Sequence, residues 1–297
     1  MPNPLSLEGV MLHLPETPHR PPTPHPDTLR FITLLHRTFD ARRRALLQLR
    51  DTHPPGELLL ETQHIREHNT WTCTDSPPIT TTGNSSHVIR LQGLDNASAP
   101  TWHTVMHTHA QWADEKGNSC SAPSTLVPRA LHTHEQHMTV DGAPVSAALF
   151  DFALHFHATH PPRATPHYCI QGLVHHGEAR LWHDVLCVAE DVARVPRGSL
   201  RVALCLDTPA ALWQCEEMLF ELRQHCAVVL LPREVPGDTA RAQRLHAVRA
   251  VCARRCVRVL QFSRELPRDA APTPAPPPQR ENKRAPRPAL LQHAGRL

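Results

Sequence analysis

Aromatic residues are scarce. Phe, Trp and Tyr make up 4 % of the 297 residues, with a single tyrosine, so a core must rest on aliphatic side chains within a hydrophobic share of 40 %. Glycine is scarce too, at 11, and no glycine-rich phosphate loop, G-x-S-x-G elbow or kinase motif set occurs. No run of about 18 apolar residues exists, which excludes a membrane-spanning helix. The opening MPNPLSLEGVMLHLPETPHR lacks a basic flank followed by an apolar stretch, so no secretory signal is expected. A net charge of +3 is too small to point to nucleic acid.

What the chain has in excess is proline, 31 residues, about twice the ordinary share, and histidine, 24 residues. Nine cysteines, an odd number spread through expected helices and strands, fit reduced thiols better than a disulfide framework. Prolines crowd residues 1–27, which reads as an extended arm, and residues 265–297 cannot bury a core and read as disordered. The globular candidate lies between them.

Within it, TLRFITLLHRTFDARRRALLQLR (28–50) has Leu29, Ile32, Leu35, Phe39 and Leu46 at helical spacing, with Asp27 as N-cap. Residues 51–86 read mostly as loop. Helices are expected over 146–158 and 179–195. SLRVALCLD (199–207) reads as a strand, after which Thr208 can cap a helix and Pro209 can open it. That helix runs to Cys226, and AVVLLP (227–232) is a second buried strand. Strand, helix and strand with short connections make a βαβ unit and point to a parallel sheet or barrel. One further helix, rich in arginine, is expected over 238–258.

In a parallel barrel, reactive groups sit where strands end. Asp207 occupies that place, and its position leaves two readings open: a metal ligand or general base, or a carboxylate favoured by the helix macrodipole. Arg129 follows a short apolar run and could likewise face a pocket, although an isolated arginine reads first as a surface charge. His103 and His107 have the i, i+4 spacing of zinc sites, but Thr104 stands where the zincin pattern needs Glu. Cys252 and Cys256 read as half-buried thiols on the last helix. The arginine face of that helix could meet phosphate or an acidic surface, and a solvated face is the simpler reading.

Several ordered segments resemble the malate synthase family (A type). PRGSLRVALCLDTPAALWQCEEMLFELRQH (196–225) is similar to its PRGT–strand–ETLPA–helix–ELRDH stretch, SAALFDFALHF (146–156) to its SLFDFALYF, and RALHTHEQHMTVDGAPV (129–145) to its RGLHLPE-x-H box. ASAPTWHTV (97–105) and FDARRRALLQLR (39–50) are similar to its SLAP-x-W segment and early helix. The resemblance covers residues 28–231. It implies a partial (β/α)8 barrel with an N-terminal helical region, divided as 28–95 clasp and barrel start, 96–232 partial barrel and 233–264 basic helix of unrelated sequence. It also implies acetyl-CoA and glyoxylate as substrates, Mg²⁺ as cofactor, and a peroxisomal, glyoxysomal or cytoplasmic location. Neither a membrane nor a nucleic acid is expected as partner, and open barrel edges would call for a second copy or another protein.

Carried over position by position, Arg129 matches the arginine that steadies the enolate and glyoxylate, with Ala130 in place of the following glycine. Asp207 matches the glutamate that binds Mg²⁺ and is one methylene shorter. Val235, with Glu234 beside it, stands where the family has its second metal aspartate. Asp95 is the last carboxylate of the acidic box, Gly172 replaces the lysine of LPK, and nothing resembles the C-terminal plug that supplies the general base. The expectation is a malate synthase homologue of impaired turnover, with an inactive fragment acting as a binding or scaffold protein as the alternative. Metal buffering or nucleic-acid binding by the histidines and arginines is a third class.

Overall fold

Two hydrophobic periods, one of alternating and one of helical spacing, account for most of the architecture. The computed structural model describes residues 7–13, 24–50, 58–68, 70–74, 87–90, 111–114, 125–159 and 167–263. In chain order these form β1 (Val10–Leu12), α1 (Pro26–Leu49), α2 (Gln63–Glu67), β2 (His87–Arg90), β3 (Gln111–Asp114) and β4 (Thr125–Leu126). There follow β5 (His134–Val140), β6 (Ala143–Ser146), α3 (Ala147–Thr159), β7 (His167–Ile170), α4 (His176–Ala193) and β8 (Arg201–Cys205). The last are α5 (Pro209–Trp213), α6 (Cys215–Leu222), β9 (Cys226–Pro232), α7 (Thr239–Arg254) and β10 (Arg258–Ser263). Most of the N-terminal arm, the whole of 265–297, Asp95, and the segment with His103 and His107 lie outside the described residues.

The main sheet has the order β3-β2-β10-β9-β8-β7-β4, and β3 is its antiparallel member. The run β7, β8, β9, β10 is consecutive in sequence, parallel, and connected through helices, which is the repeat of a (β/α) barrel. The expected parallel sheet is therefore present. Both faces of these strands are buried. Tyr168, Ile170, Val202, Leu204, Val229 and Leu231 belong to the core shared with the helices. Their alternates Cys169, Ala203, Cys205, Val228, Leu230, Leu260 and Phe262 form a second cluster on the other face, as strands buried on both faces require.

Helix α1 lies against α3 and α4, with Ile32 and Leu35 wholly buried and Phe31 5.0 Å from Phe156 between ring centroids. Truncating Leu35 to Ala would cost about 2–5 kcal/mol. Its N-cap is His25, whose side chain accepts from the Asp27 N–H, so the expected Asp27 cap is one of the first helical residues instead. A smaller antiparallel sheet, β1-β5-β6, stands apart. Its β5–β6 turn is Asp141-Gly142, both at positive φ, 51° and 78°, the conformation that a two-residue hairpin turn demands.

Two expected helices are shorter than their patterns. The one after Pro209 breaks at Gln214 into α5 and α6. The arginine-rich one ends at Arg254, and Arg258–Ser263 is a strand that pairs with β9, so this basic segment adds a helix and a strand to the parallel sheet. Cys256 consequently lies off the helix, exposed and at φ 57°. The arginine face is not simply solvated. Arg244 donates to the carbonyls of Leu212 and Trp213 and lies over the Trp213 ring, Arg249 pairs with Glu234, and Arg254 and Arg255 both hold Glu216. No described helix is long and apolar enough to cross a membrane, and no disulfide joins the described cysteines.

Candidate active site

Three loops leaving the carboxyl ends of β4, β7 and β8 meet at one glycine. Gly172, after β7, gives its N–H to Asp207 Oδ1 at 2.8 Å. A Cβ at position 172 would sit 3.7 Å from the Ala130 Cβ, next to Arg129. Its φ of +69° lies in the region that glycine enters without strain. Beside this bond the Thr208 hydroxyl donates to the Leu173 carbonyl at 2.6 Å and accepts from the Ala211 N–H at 3.0 Å. The expected cap at Thr208 and the helix start at Pro209 are therefore in place, and they tie the β8 loop to the β7 loop. From beneath, Arg50 of α1 donates to the Gly172 carbonyl and to both oxygens of the buried Glu178, which also accepts from the Val174 N–H.

Arg129 is buried, so the surface-charge reading of it does not hold. Its backbone N–H and its Nε reach Asp151 Oδ2, both at 2.9 Å, and its Nη2 reaches Asp151 Oδ1 at 2.7 Å and Glu135 Oε2 at 2.6 Å. Nε and Nη2 are thus engaged, and neither carboxylate takes Nη1. Such bidentate pairing fixes the guanidinium plane. Burial acts to lower the arginine pKa, but the bonds to Asp151 and Glu135 outweigh it and raise the value. Burial acts to raise the Glu135 pKa, and Arg129 together with the His137 bonds depresses it. For the fully buried Asp151 burial wins, and its pKa rises. The arrangement can hold a permanent cation in one orientation at the edge of a strand, which is what a developing oxyanion needs.

Asp207 is half-buried and lines a cavity of about 300 Å³ with Trp213, Asp238, Arg241 and Arg244 among its walls. Glu234, the carboxylate nearest the expected second metal position, pairs with Arg249 at 2.7 Å instead, and Val235 is exposed. The acid that joins Asp207 at this cavity is Asp238, which caps α7 by accepting from the Arg241 N–H at 3.0 Å. Sequence reasoning passed over it, although D-T-A-R ahead of a helical stretch is a capping signal. Asp151 and Glu135 were also missed. A lone acid in the apolar run LFDFALHF was the available clue for Asp151.

Residues 125–231 match the family model of the malate synthase TIM barrel domain. The chain is similar to the glyoxysomal malate synthase of Candida tropicalis, at 29 % identity over 68 % of this chain and 45 % of the relative. It is similar to the malate synthase of Streptomyces clavuligerus at 31 % over 66 % and 45 %, and to the glyoxysomal malate synthase of Cucurbita maxima at 28 % over 67 % and 43 %. The chain spans less than half the length of these relatives.

Proposed function

Since the chain belongs to the malate synthase family, we propose that its site is built for condensing acetyl-CoA with glyoxylate to malate and CoA, and that its turnover is impaired. The observation that carries this reading is the meeting at Gly172: one glycine bonds Asp207 and abuts the Arg129 loop. Gly172 thus sets the Asp207 carboxylate beside the loop that carries the Arg129 cation, at the carboxyl ends of parallel strands, where barrel chemistry sits.

The acetyl methyl is a weak carbon acid, so its enolate oxygen must be met by positive charge as the proton leaves. Arg129 supplies that charge through Nη1, while Asp151 and Glu135 keep the guanidinium from turning. Mg²⁺ suits the acids at this cavity, because it takes one or two carboxylates and fills its shell with water. Asp207 would hold it, with Asp238 as a second acid at the same cavity. When bound, the ion polarises the glyoxylate aldehyde. Arg241 and Arg244 on the same walls oppose a cation, and Asp207 is shorter than the family's glutamate, so the metal is held weakly. Val235 offers no ligand, and no segment of these 297 residues resembles the one that carries the family's base.

A base contributes about 10²–10⁴ in rate. A thiol-release assay with acetyl-CoA, glyoxylate and Mg²⁺ is therefore expected to give turnover at least about 10²-fold below that of the Streptomyces clavuligerus relative. Equal turnover would overturn the impairment. Failure of either substrate to bind would favour a scaffold role instead. Peroxisome, glyoxysome or cytoplasm is the proposed location, in keeping with the glyoxysomal relatives. Among the described residues β3 and β4 are the ends of the main sheet, where a second copy or another protein would pair.

A further inference from the structure

At the opposite end of the sheet, three metal-ligating side chains converge on the turn that enters β9. His183 and Cys187 lie one turn apart on the same face of α4, and the Cys187 Sγ is 3.5 Å from His183 Nε2. His225, in the turn between α6 and β9, is wholly buried, and its ring centroid lies 5.2 Å from that of His183. One ligand atom from each of the three lies within 4.8 Å of the others. A tetrahedral zinc with Zn–S of about 2.3 Å and Zn–N of about 2.0–2.1 Å separates sulfur from nitrogen by about 3.6 Å. The His183–Cys187 spacing already has that length.

The second observation is the state of His225. Its Nε2 is 3.2 Å from Glu190 Oε2, and Glu190, also wholly buried, has its other oxygen held by the Leu200 N–H at 2.9 Å. A proton on Nε2 donated to Glu190 leaves Nδ1 as a bare lone pair. That Nδ1 is buried and, among the described residues, has no hydrogen-bond partner. A carboxylate that fixes the tautomer of a histidine and leaves its other nitrogen bare is the outer-shell pattern of zinc sites. The turn is rigid, since the His225 N–H donates to the Leu222 carbonyl at 2.8 Å and its own carbonyl accepts from the Val202 N–H at 2.9 Å.

We propose that His183, Cys187 and His225 bind a zinc ion that clamps α4 to the turn entering β9. Two imidazoles and a thiolate are borderline-soft donors suited to Zn²⁺ and unsuited to Mg²⁺. On binding, the Cys187 thiol releases its proton to solvent, and two zinc–nitrogen bonds and one zinc–sulfur bond form. Water takes the fourth position beside the half-buried His183 and Cys187. The charges balance, because Zn²⁺ meets one thiolate and the Glu190 carboxylate. Arg197 reaches the same corner, donating to the Cys187 carbonyl and pairing with Asp191 at 2.7 Å. The site lies at the amino ends of the strands, away from Arg129 and Asp207, so its role is structural.

The test uses the full chain, stripped with a chelator and titrated with Zn²⁺ against a chromophoric competitor, then with Co²⁺. The expected result is one tight equivalent of zinc and a cobalt complex with a thiolate charge-transfer band. Cys187→Ser removes the band, and both Cys187→Ser and His183→Gln weaken zinc by more than about 100-fold, beyond the 10–100-fold expected for the outer-shell change Glu190→Gln. Cys256→Ser leaves band and affinity unchanged. Circular dichroism confirms that these near-isosteric variants are folded, and the wild-type band needs no variant at all. Absence of the band from the wild type, or its survival in Cys187→Ser, overturns the proposal.

Discussion

Arg129 and Arg255 are both buried and both face carboxylates, yet they do different work. Arg255, between α7 and β10, engages every guanidinium nitrogen: Nε and Nη2 on Glu216, Nη1 on the carbonyls of His68 and Trp71, and Nη2 again on Ile65. Its guanidinium also stacks over Trp71 at 4.0 Å. Among the described residues Arg129 engages two guanidinium nitrogens and leaves the third uncommitted. A saturated arginine fastens a loop to a core. One held by its side and back can still meet a ligand. The difference lies in the count of engaged donors and in exposure, which is 9 % for Arg129 and 0 % for Arg255.

The largest expected effect falls on the saturated residue. Arg255→Ala leaves Glu216 short of a partner and takes a donor from the carbonyls of His68, Trp71 and Ile65, the last keeping the Trp71 indole N–H, so denaturant unfolding should show a loss of about 3–5 kcal/mol. A loss under about 1 kcal/mol would make Arg255 a bystander and break the contrast. Next comes Gly172→Ala. The space around a Cβ there is ordinary, so the cost is that of a left-handed backbone, about 1–2 kcal/mol in the same unfolding measurement. Asp238→Ala removes the α7 cap and should cost about 1 kcal/mol, with a parallel drop in Mg²⁺ affinity if it shares the ion with Asp207.

The smallest effect is one of pH. His36 and His132 have pKa values lowered from 6.5, by burial first in both, with Arg50 adding to the effect at His132. The unfolded chain takes up these protons before the folded one does, so both histidines favour folding above about pH 6.5 and lose that contribution as pH falls through their folded values. Thermal melts should show a falling midpoint on acidification from neutral pH. The fall should shrink when His36 is replaced by Gln.

The βαβ unit after Leu200 was legible because its signals are local: apolar strands, a threonine cap and a proline at the helix start. The break at Gln214 was not. No glycine or proline marks it, and the Gln214 side chain there accepts from the His176 N–H, 38 residues away. The helix after Asp238 was legible, but its end at Arg254 and the strand that follows were not, because the arginines look solvent-facing in sequence and instead tie α7 to α5 and α6. The Asp141-Gly142 turn did carry its local signal and was overlooked. In the site, the strand-end position of Asp207 could be read directly, whereas Arg129 was singled out by the resemblance. The carboxylates that hold Arg129 could not, because Asp151 meets it only once α3 has packed.

Calorimetric titration of glyoxylate, with Mg²⁺ present, into the wild-type chain and its Arg129→Lys and Asp207→Ala variants bears most directly on the claim that these two residues share one site. Binding should weaken by about 1.5–3 kcal/mol with Arg129→Lys, the worth of a hydrogen bond to a charged group, and the Mg²⁺ dependence should vanish with Asp207→Ala. Equal affinity in all three proteins would contradict it.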